Sequence, residues 1–228
     1  DDNMDVLQSA TQSFCKTLEK GIESLEMSMT LPKPEKIKIE NRPAAIAAAA
    51  ANPEIVDAFE ECVSEWADIT TKLLDEQADA SNDDDDIGPR TELAWWRKRA
   101  TKLNSICDDL RGEECQQIML VLQTCKSRKF KIWRQKNNAI TDALNEAKDN
   151  VKYLSTLDKY IEPLYSASPP EVIESLSGLL NNLRMMHAIA RYYATPERMT
   201  MLFGKITEQM IVNCRAWVTN AGSLWEQD

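Results

Sequence analysis

The sequence predicts an all-α protein, built as elongated helical bundles in series around one long central helix. Three observations carry this. Between Ser127 and Tyr165 the residues Phe130, Trp133, Asn137, Ile140, Leu144, Ala147, Val151, Leu154, Leu157, Ile161 and Leu164 recur at steps of mostly three and four, an apolar stripe with Asn137 as its single polar break. No glycine interrupts the stretch and its first proline is Pro163. A helix of roughly 35–40 residues at 1.5 Å per residue would be about 55 Å long, beyond the usual globular range. Helix-start signals also recur along the chain. Finally, glycine is scarce, 6 in 228 residues, and strand-like alternation is confined to one short stretch.

Asp2 to Met29 reads as a first helix, with Val6, Phe14, Leu18, Ile22 and Leu25 on an apolar face, ended by Pro32 and Pro34. Lys36 to Glu40 alternates and reads as an extended arm or a lone edge strand. Ala44 to Ala51 is nearly pure alanine. It predicts a tightly packed helix or helical arm, in which small side chains permit close approach and neighbours supply stability.

Asn52-Pro53-Glu54 opens the next helix with a cap, a proline in the first turn and an acid against the helix dipole. Ile55, Val56, Phe59, Val63, Trp66, Ile69, Leu73 and Leu74 form its apolar face to about Glu76. An acidic loop follows over 77–88, with four consecutive aspartates from Asp83 to Asp86, and reads as a solvated linker. It lacks the glycine and terminal glutamate of a helix–loop–helix calcium site.

Gly88-Pro89 starts a third helix with Leu93, Trp96, Ala100, Leu103, Ile106 and Leu110 as its stripe and Trp95 beside it. Arg97, Lys98, Arg99 and Lys102 surround the tryptophans as solvated bases on a core seam, or alternatively as a basic, aromatic docking surface. After Gly112 a short segment resumes to Cys125, and the long central helix follows. Ser168-Pro169-Pro170-Glu171 has the capping-box spacing and opens a helix carrying Ile173, Leu176, Leu180, Leu183, Met186 or Met185, Ile189 and Tyr193. Thr195-Pro196-Glu197 opens the last one, to Trp225, with Met199, Leu202, Phe203, Ile206, Met210, Ile211, Cys214, Trp217 and Val218.

Net charge is −10, unevenly spread. Ala51 to Gly88 holds thirteen acids against Lys72 alone, and Pro89 to Lys136 holds twelve bases against five acids. Such segments complement each other or face different partners, and the acidic total argues against a general nucleic-acid binder. The strongest positive cluster opens the central helix. Lys126, Arg128, Lys129, Lys131, Arg134 and Lys136 form the candidate partner-binding surface.

No chemistry-bearing motif is present. Gly204-Lys205 has Met199 where a phosphate loop needs glycine, and there is no GxGxxG, HExxH or GxSxG. The lone His187 removes most triad chemistry and reads as structural. The cysteines Cys15, Cys62, Cys107, Cys115, Cys125 and Cys214 form no CxxC pair and read as reduced, buried thiols. No catalytic, cofactor or metal residue is expected. With no visible signal peptide, no run of 18 apolar residues and a first residue other than Met, the natural expectation is a soluble piece of a longer chain.

Three blocks carry a resemblance: Gly88 to Ile106 (GPRTELAWWRKRATKLNSI), Glu146 to Tyr160 (EAKDNVKYLSTLDKY) and Arg191 to Ile211 (RYYATPERMTMLFGKITEQMI). In order and spacing they resemble the N-terminal tail of dynein heavy chains, most closely the gamma-like type of the axonemal outer arm. Ala190 and Pro196 stand where that family more often has serine. The resemblance covers roughly Asn52 to Asn220, so residues 52–228 are expected to be a helical-bundle part of such a tail. Residues 1–51 are then an N-terminal helix, extended arm and Ala-rich segment.

The resemblance implies a non-catalytic stem. The ATP and magnesium chemistry of the minus-end-directed microtubule motor would lie in AAA+ modules elsewhere in the parent chain. Implied partners are other heavy chains, intermediate and light chains and the docking complex on doublet microtubules, with no nucleic acid and no membrane. The implied location is the cytoplasm and cytoskeleton, in the axoneme of a cilium or flagellum. The alternative is a general helical scaffold or adaptor unrelated to motors.

Overall fold

Proline-marked starts are where the helices begin. In the computed structural model, which describes residues 11, 13–15, 17–18, 21–22, 28–34, 37, 39–76, 88–166 and 168–225, the elements are α1 (Pro43–Ala51), α2 (Pro53–Asp75), α3 (Pro89–Arg111), α4 (Glu113–Thr124), α5 (Arg128–Ile161), α6 (Pro163–Ser166), α7 (Pro169–Ile189), a 3-10 turn (Tyr192–Ala194) and α8 (Pro196–Trp225). Among the described residues there is no strand, and the fold is all-α as expected. Asn52 caps α2 by accepting the Glu54 N–H at 3.0 Å. At α7 the Glu171 carboxylate accepts the Ser168 N–H at 2.8 Å and holds the Ser168 hydroxyl, which pulls the Glu171 pKa below the usual carboxylate range.

The described residues between 11 and 22 are helical, but Phe14, Leu18 and Ile22 are 63%, 50% and 55% exposed. Their expected burial is therefore not found. Ile37 and Ile39 lie in non-helical, non-strand chain, so the edge-strand option is not realised at these residues. The acidic run 77–87 lies outside the described residues, as do Val6 and Leu25.

The chain divides into two compact units, one of Asp1–Lys72 with Thr101–Thr141 and one of Leu73–Ala100 with Asp142–Asp228. In the first, the alanine helix α1 packs on α4 with Ala49 buried, the close approach its composition permits. Phe59, Val63 and Trp66 of α2 and Trp133 of α5 are buried, and the Trp66 and Trp133 rings meet edge to face at 5.5 Å. Burying each such side chain contributes about 1.5–3 kcal/mol, and the ring pair about 0.5–1.5 kcal/mol more.

The segment 28–34 straps this unit. The Met29 N–H donates to Ser105 Oγ and the Leu31 N–H to Asp109 Oδ2. The Pro32 carbonyl accepts both Trp66 Nε1 at 2.6 Å and the Cys62 thiol at 3.1 Å. Lys33 pairs with Asp109 at 2.6 Å, which raises the Lys33 pKa, first through the hydrogen bond itself. This prolyl segment satisfies its backbone on side chains of α2 and α3, where a strand would have used a neighbouring strand.

In the second unit the α5 stripe is buried at Leu144, Ala147, Leu154, Leu157 and Ile161. The helix stops at Ile161, 34 residues and about 51 Å from its start, because Pro163 offers no N–H and its ring opposes continuation. The expected end at Tyr165 is instead the short α6. Gly178 of α7 lies against the Tyr160 ring so closely that an added Cβ would collide with it.

The α7 face is rotated from expectation. Val172, Leu179, Leu183 and Met186 are buried, whereas Ile173, Leu180 and Ile189 are exposed. On α8, Met199, Leu202 and Ile206 are buried as expected, but Phe203, Ile211, Trp217 and Val218 are exposed. No described residue of α8 beyond Asn213 is buried, although Trp217 continues the buried stripe.

All six cysteines are free. Cys62, Cys107 and Cys115 are buried as thiols; Cys15 is exposed and Cys125 and Cys214 are half-buried, which corrects the expectation for those three. Burial pushes Cys62 up to about 12 and Cys115 up to about 11, so neither is a nucleophile near neutral pH.

Candidate partner-binding surface

The basic start of α5 is set by the turn before it. Helix α4 ends with the Lys126 N–H on the Gln123 carbonyl and the Ser127 N–H on the Leu122 carbonyl, a Schellman closure. This closure puts Lys126 at φ 56°, the left-handed position that glycine usually fills. Ser127 then caps α5. Its Oγ accepts the Lys129 N–H at 3.1 Å and donates to Glu60 on α2 at 2.5 Å.

Trp133 and Ile140 point into the core and fix which face of α5 is outward. The six expected cations then divide into two groups. Lys129 and Lys136 turn toward α2, where they donate to Ser64 Oγ at 2.6 Å and Thr71 Oγ1 at 2.7 Å. The acidic segment and the basic helix thus lie side by side but are joined through hydroxyls.

Lys126, Arg128, Lys131 and Arg134 are exposed, and none of them makes an ion pair or side-chain hydrogen bond among the described residues. Between them Ile132 is 50% exposed. Arg128, Lys131, Ile132 and Gln135 stand at i, i+3, i+4 and i+7, one helix face, with Arg134 three residues after Lys131. Ile132 lies off the apolar stripe of α5, and its only sequence signal is its place in the basic run.

The other basic, aromatic cluster is interior. Arg99 is buried, not solvated as expected, and donates to the carbonyls of Leu73 at 2.8 Å, Leu74 at 3.1 Å and Glu76 at 3.1 Å. It caps the C-terminus of α2, where four carbonyls lack helical partners. Burial lowers its pKa, opposed by Glu76. Arg97 and Lys98 are exposed, as expected.

Nearby, the buried Glu92 carboxylate accepts the Tyr193 phenol at 2.8 Å and Lys205 Nζ at 2.5 Å, and the phenol accepts Trp96 Nε1 at 2.9 Å. His187 Nδ1 lies 2.8 Å from the Tyr193 carbonyl, a structural contact as expected. Each polar atom in this cluster is spent on another, which makes it a staple. It joins the first and third of the three sequence blocks, since Glu92 and Trp96 belong to one and Tyr193 and Lys205 to the other.

A family model described as dynein heavy chain, N-terminal region 1, matches residues 56–228. The chain belongs to the dynein heavy chain family. Among its relatives, dynein axonemal heavy chain 5 of Rattus norvegicus is 38% identical over 223 residues, 96% of this chain and 6% of the relative. The dynein gamma chain of the flagellar outer arm of Chlamydomonas reinhardtii is 38% identical over 224 residues, 96% of this chain and 5% of the relative. Dynein axonemal heavy chain 8 of Mus musculus is 35% identical over 219 residues.

This dynein chain thus spans 5–6% of the length of the first two relatives. The resemblance to the outer-arm gamma type holds, and it decides against a scaffold unrelated to motors. It also reaches further than the three blocks, since 96% coverage takes in most of residues 1–51.

Proposed function

We propose that this chain is a non-catalytic tail segment of an axonemal outer-arm dynein heavy chain. It assembles with other heavy chains, intermediate and light chains and the docking complex, and so helps anchor a microtubule motor to the doublet for ciliary motility. The observation that carries this reading is the match of residues 56–228 to the N-terminal region of the family, with relatives that are axonemal and flagellar chains. The buried Glu92–Tyr193–Trp96–Lys205 staple supports it, because the recognisable residues serve packing and not turnover.

In this reading residues 52–228 are the tail bundle, and ATP and magnesium act in a motor domain elsewhere in the parent chain. The partner contact is the basic start of α5, Lys126 to Lys136, whose outward cations make no ion pair among the described residues. Helices suit the role because they are stiff and pass load along their axes.

The test is charge reversal at Arg128, Lys131 and Arg134 in the heavy chain expressed in ciliated cells. Incorporation into axonemes should fall while circular dichroism of the purified 228-residue chain keeps its helix content. Unchanged incorporation would reject the surface, and ATP turnover by the 228-residue chain would reject the non-catalytic assignment.

A further inference from the structure

We propose that the outward face of α5 made by Arg128, Lys131 and Ile132 docks an acidic amphipathic helix of a partner subunit, with Ile132 as its apolar anchor. This rests on the reading of the Lys126 to Lys136 segment as a partner contact and names the chemistry of what is bound.

Charge sets the sign of the partner. Arg128 and Lys131 stand three residues apart, about 4.5 Å along the axis, on the face that Ile132 shares, and Arg134 continues the cations around the helix. None of them is neutralised among the described residues, although α2 beside them is rich in acids. A second helix with acids at i and i+3 or i+4 repeats over the same length, so an acid meets each of Arg128 and Lys131.

The isoleucine sets the class of partner. A surface meant only for a polyanion gains nothing from a half-exposed Ile132 beside its cations. A helix with one apolar residue between its acids would cover that side chain and exclude water from the flanking ion pairs, which are worth most when desolvated.

The test uses the 228-residue chain and a synthetic 20-residue helical peptide with glutamates at i, i+3 and i+7 around one leucine, followed by fluorescence anisotropy. The controls are the same peptide with serine for leucine, poly-glutamate and a 20-nucleotide RNA. The peptide should bind, lose roughly tenfold or more in affinity to Arg128→Glu/Lys131→Glu and several-fold to Ile132→Ser, and weaken as salt shortens the screening length. The serine peptide should lose as much as Ile132→Ser does.

No binding by the unaltered chain would overturn the proposal, as would binding indifferent to Ile132→Ser. Poly-glutamate or RNA binding as tightly as the peptide would also overturn it in favour of a general polyanion site. If these fail while charge reversal still blocks axonemal incorporation, the contact surface stands and only the acidic helix falls. If incorporation is normal, the surface itself falls.

Discussion

The Tyr193 phenol donates a 2.8 Å hydrogen bond to the buried carboxylate of Glu92, 101 residues earlier in the chain. The same phenol oxygen accepts from Trp96 Nε1, and Lys205 neutralises Glu92 from α8. Two stretches about a hundred residues apart are therefore held by one shared set of hydrogen bonds, in which each member satisfies another that burial would otherwise penalise.

Tyr193→Phe tests that set. It keeps the ring and removes only the oxygen, leaving the indole N–H of Trp96 with just a long 3.4 Å contact to Glu92. Urea unfolding should show a loss of about 1–3 kcal/mol. The pH dependence should change too. Burial first, and then the Glu92 charge, raise the Tyr193 pKa above its ordinary value of 10. The contribution of the phenol is thus complete below the unfolded pKa of about 10 and is lost as pH rises beyond it, because only the unfolded chain releases the proton. The unaltered chain should lose stability more steeply above about pH 10 than Tyr193→Phe. Equal slopes would show that the phenol ionises freely in the folded state.

Arg99→Ala should be among the more costly single changes. It strips three carbonyls at the end of α2 of a buried, forked donor, and about 2–4 kcal/mol of stability should go with it in thermal or urea unfolding. Arg99→Lys should recover only part, since one ammonium cannot reproduce the fork. Full stability of the lysine variant would show that charge alone suffices there.

Most of the helices were legible because their signals are local. Asn52, Pro53, Pro89, Ser168 and Pro196 state their roles within four residues, and the 34-residue α5 carries its apolar stripe in plain view. What the sequence concealed depends on contacts distant in the chain. Arg99 looks like Arg97 and Lys98 until the end of α2 is placed over it. Ile173 and Leu180 look like core until Val172 and Leu179 take that face. The strap at 28–34 has no periodicity, because its bonds run to Ser105, Asp109, Trp66 and Cys62. The basic surface was legible as a charge run, but its division into cations facing α2 and cations facing outward required the fold.

Lys126→Gly should stabilise the chain. A lysine at φ 56° meets its own Cβ strain, and glycine relieves it at a lesser cost in unfolded-chain entropy. A gain of about 0.5–1 kcal/mol in urea unfolding is expected, with the Schellman hydrogen bonds kept. Lys126→Ala should show no such gain, because alanine keeps the Cβ. Equal behaviour of the two variants would mean that the turn relaxes away from the left-handed position.

Asn150 should be a site where an apolar residue is better for stability. It is 1% exposed on α5, and its Nδ2 has no hydrogen-bond partner among the described residues. An unpaired buried amide costs about 1–3 kcal/mol against a solvated one. Asn150→Leu keeps the branching at Cγ and removes that cost at the expense of some added bulk, so unfolding should shift to higher urea by a stability of about 1 kcal/mol. Asn150→Asp should shift it the other way, by burying a carboxylate in the same place. A destabilised Asn150→Leu would show instead that the amide is satisfied in solution, with its hydrogen bond contributing to the fold.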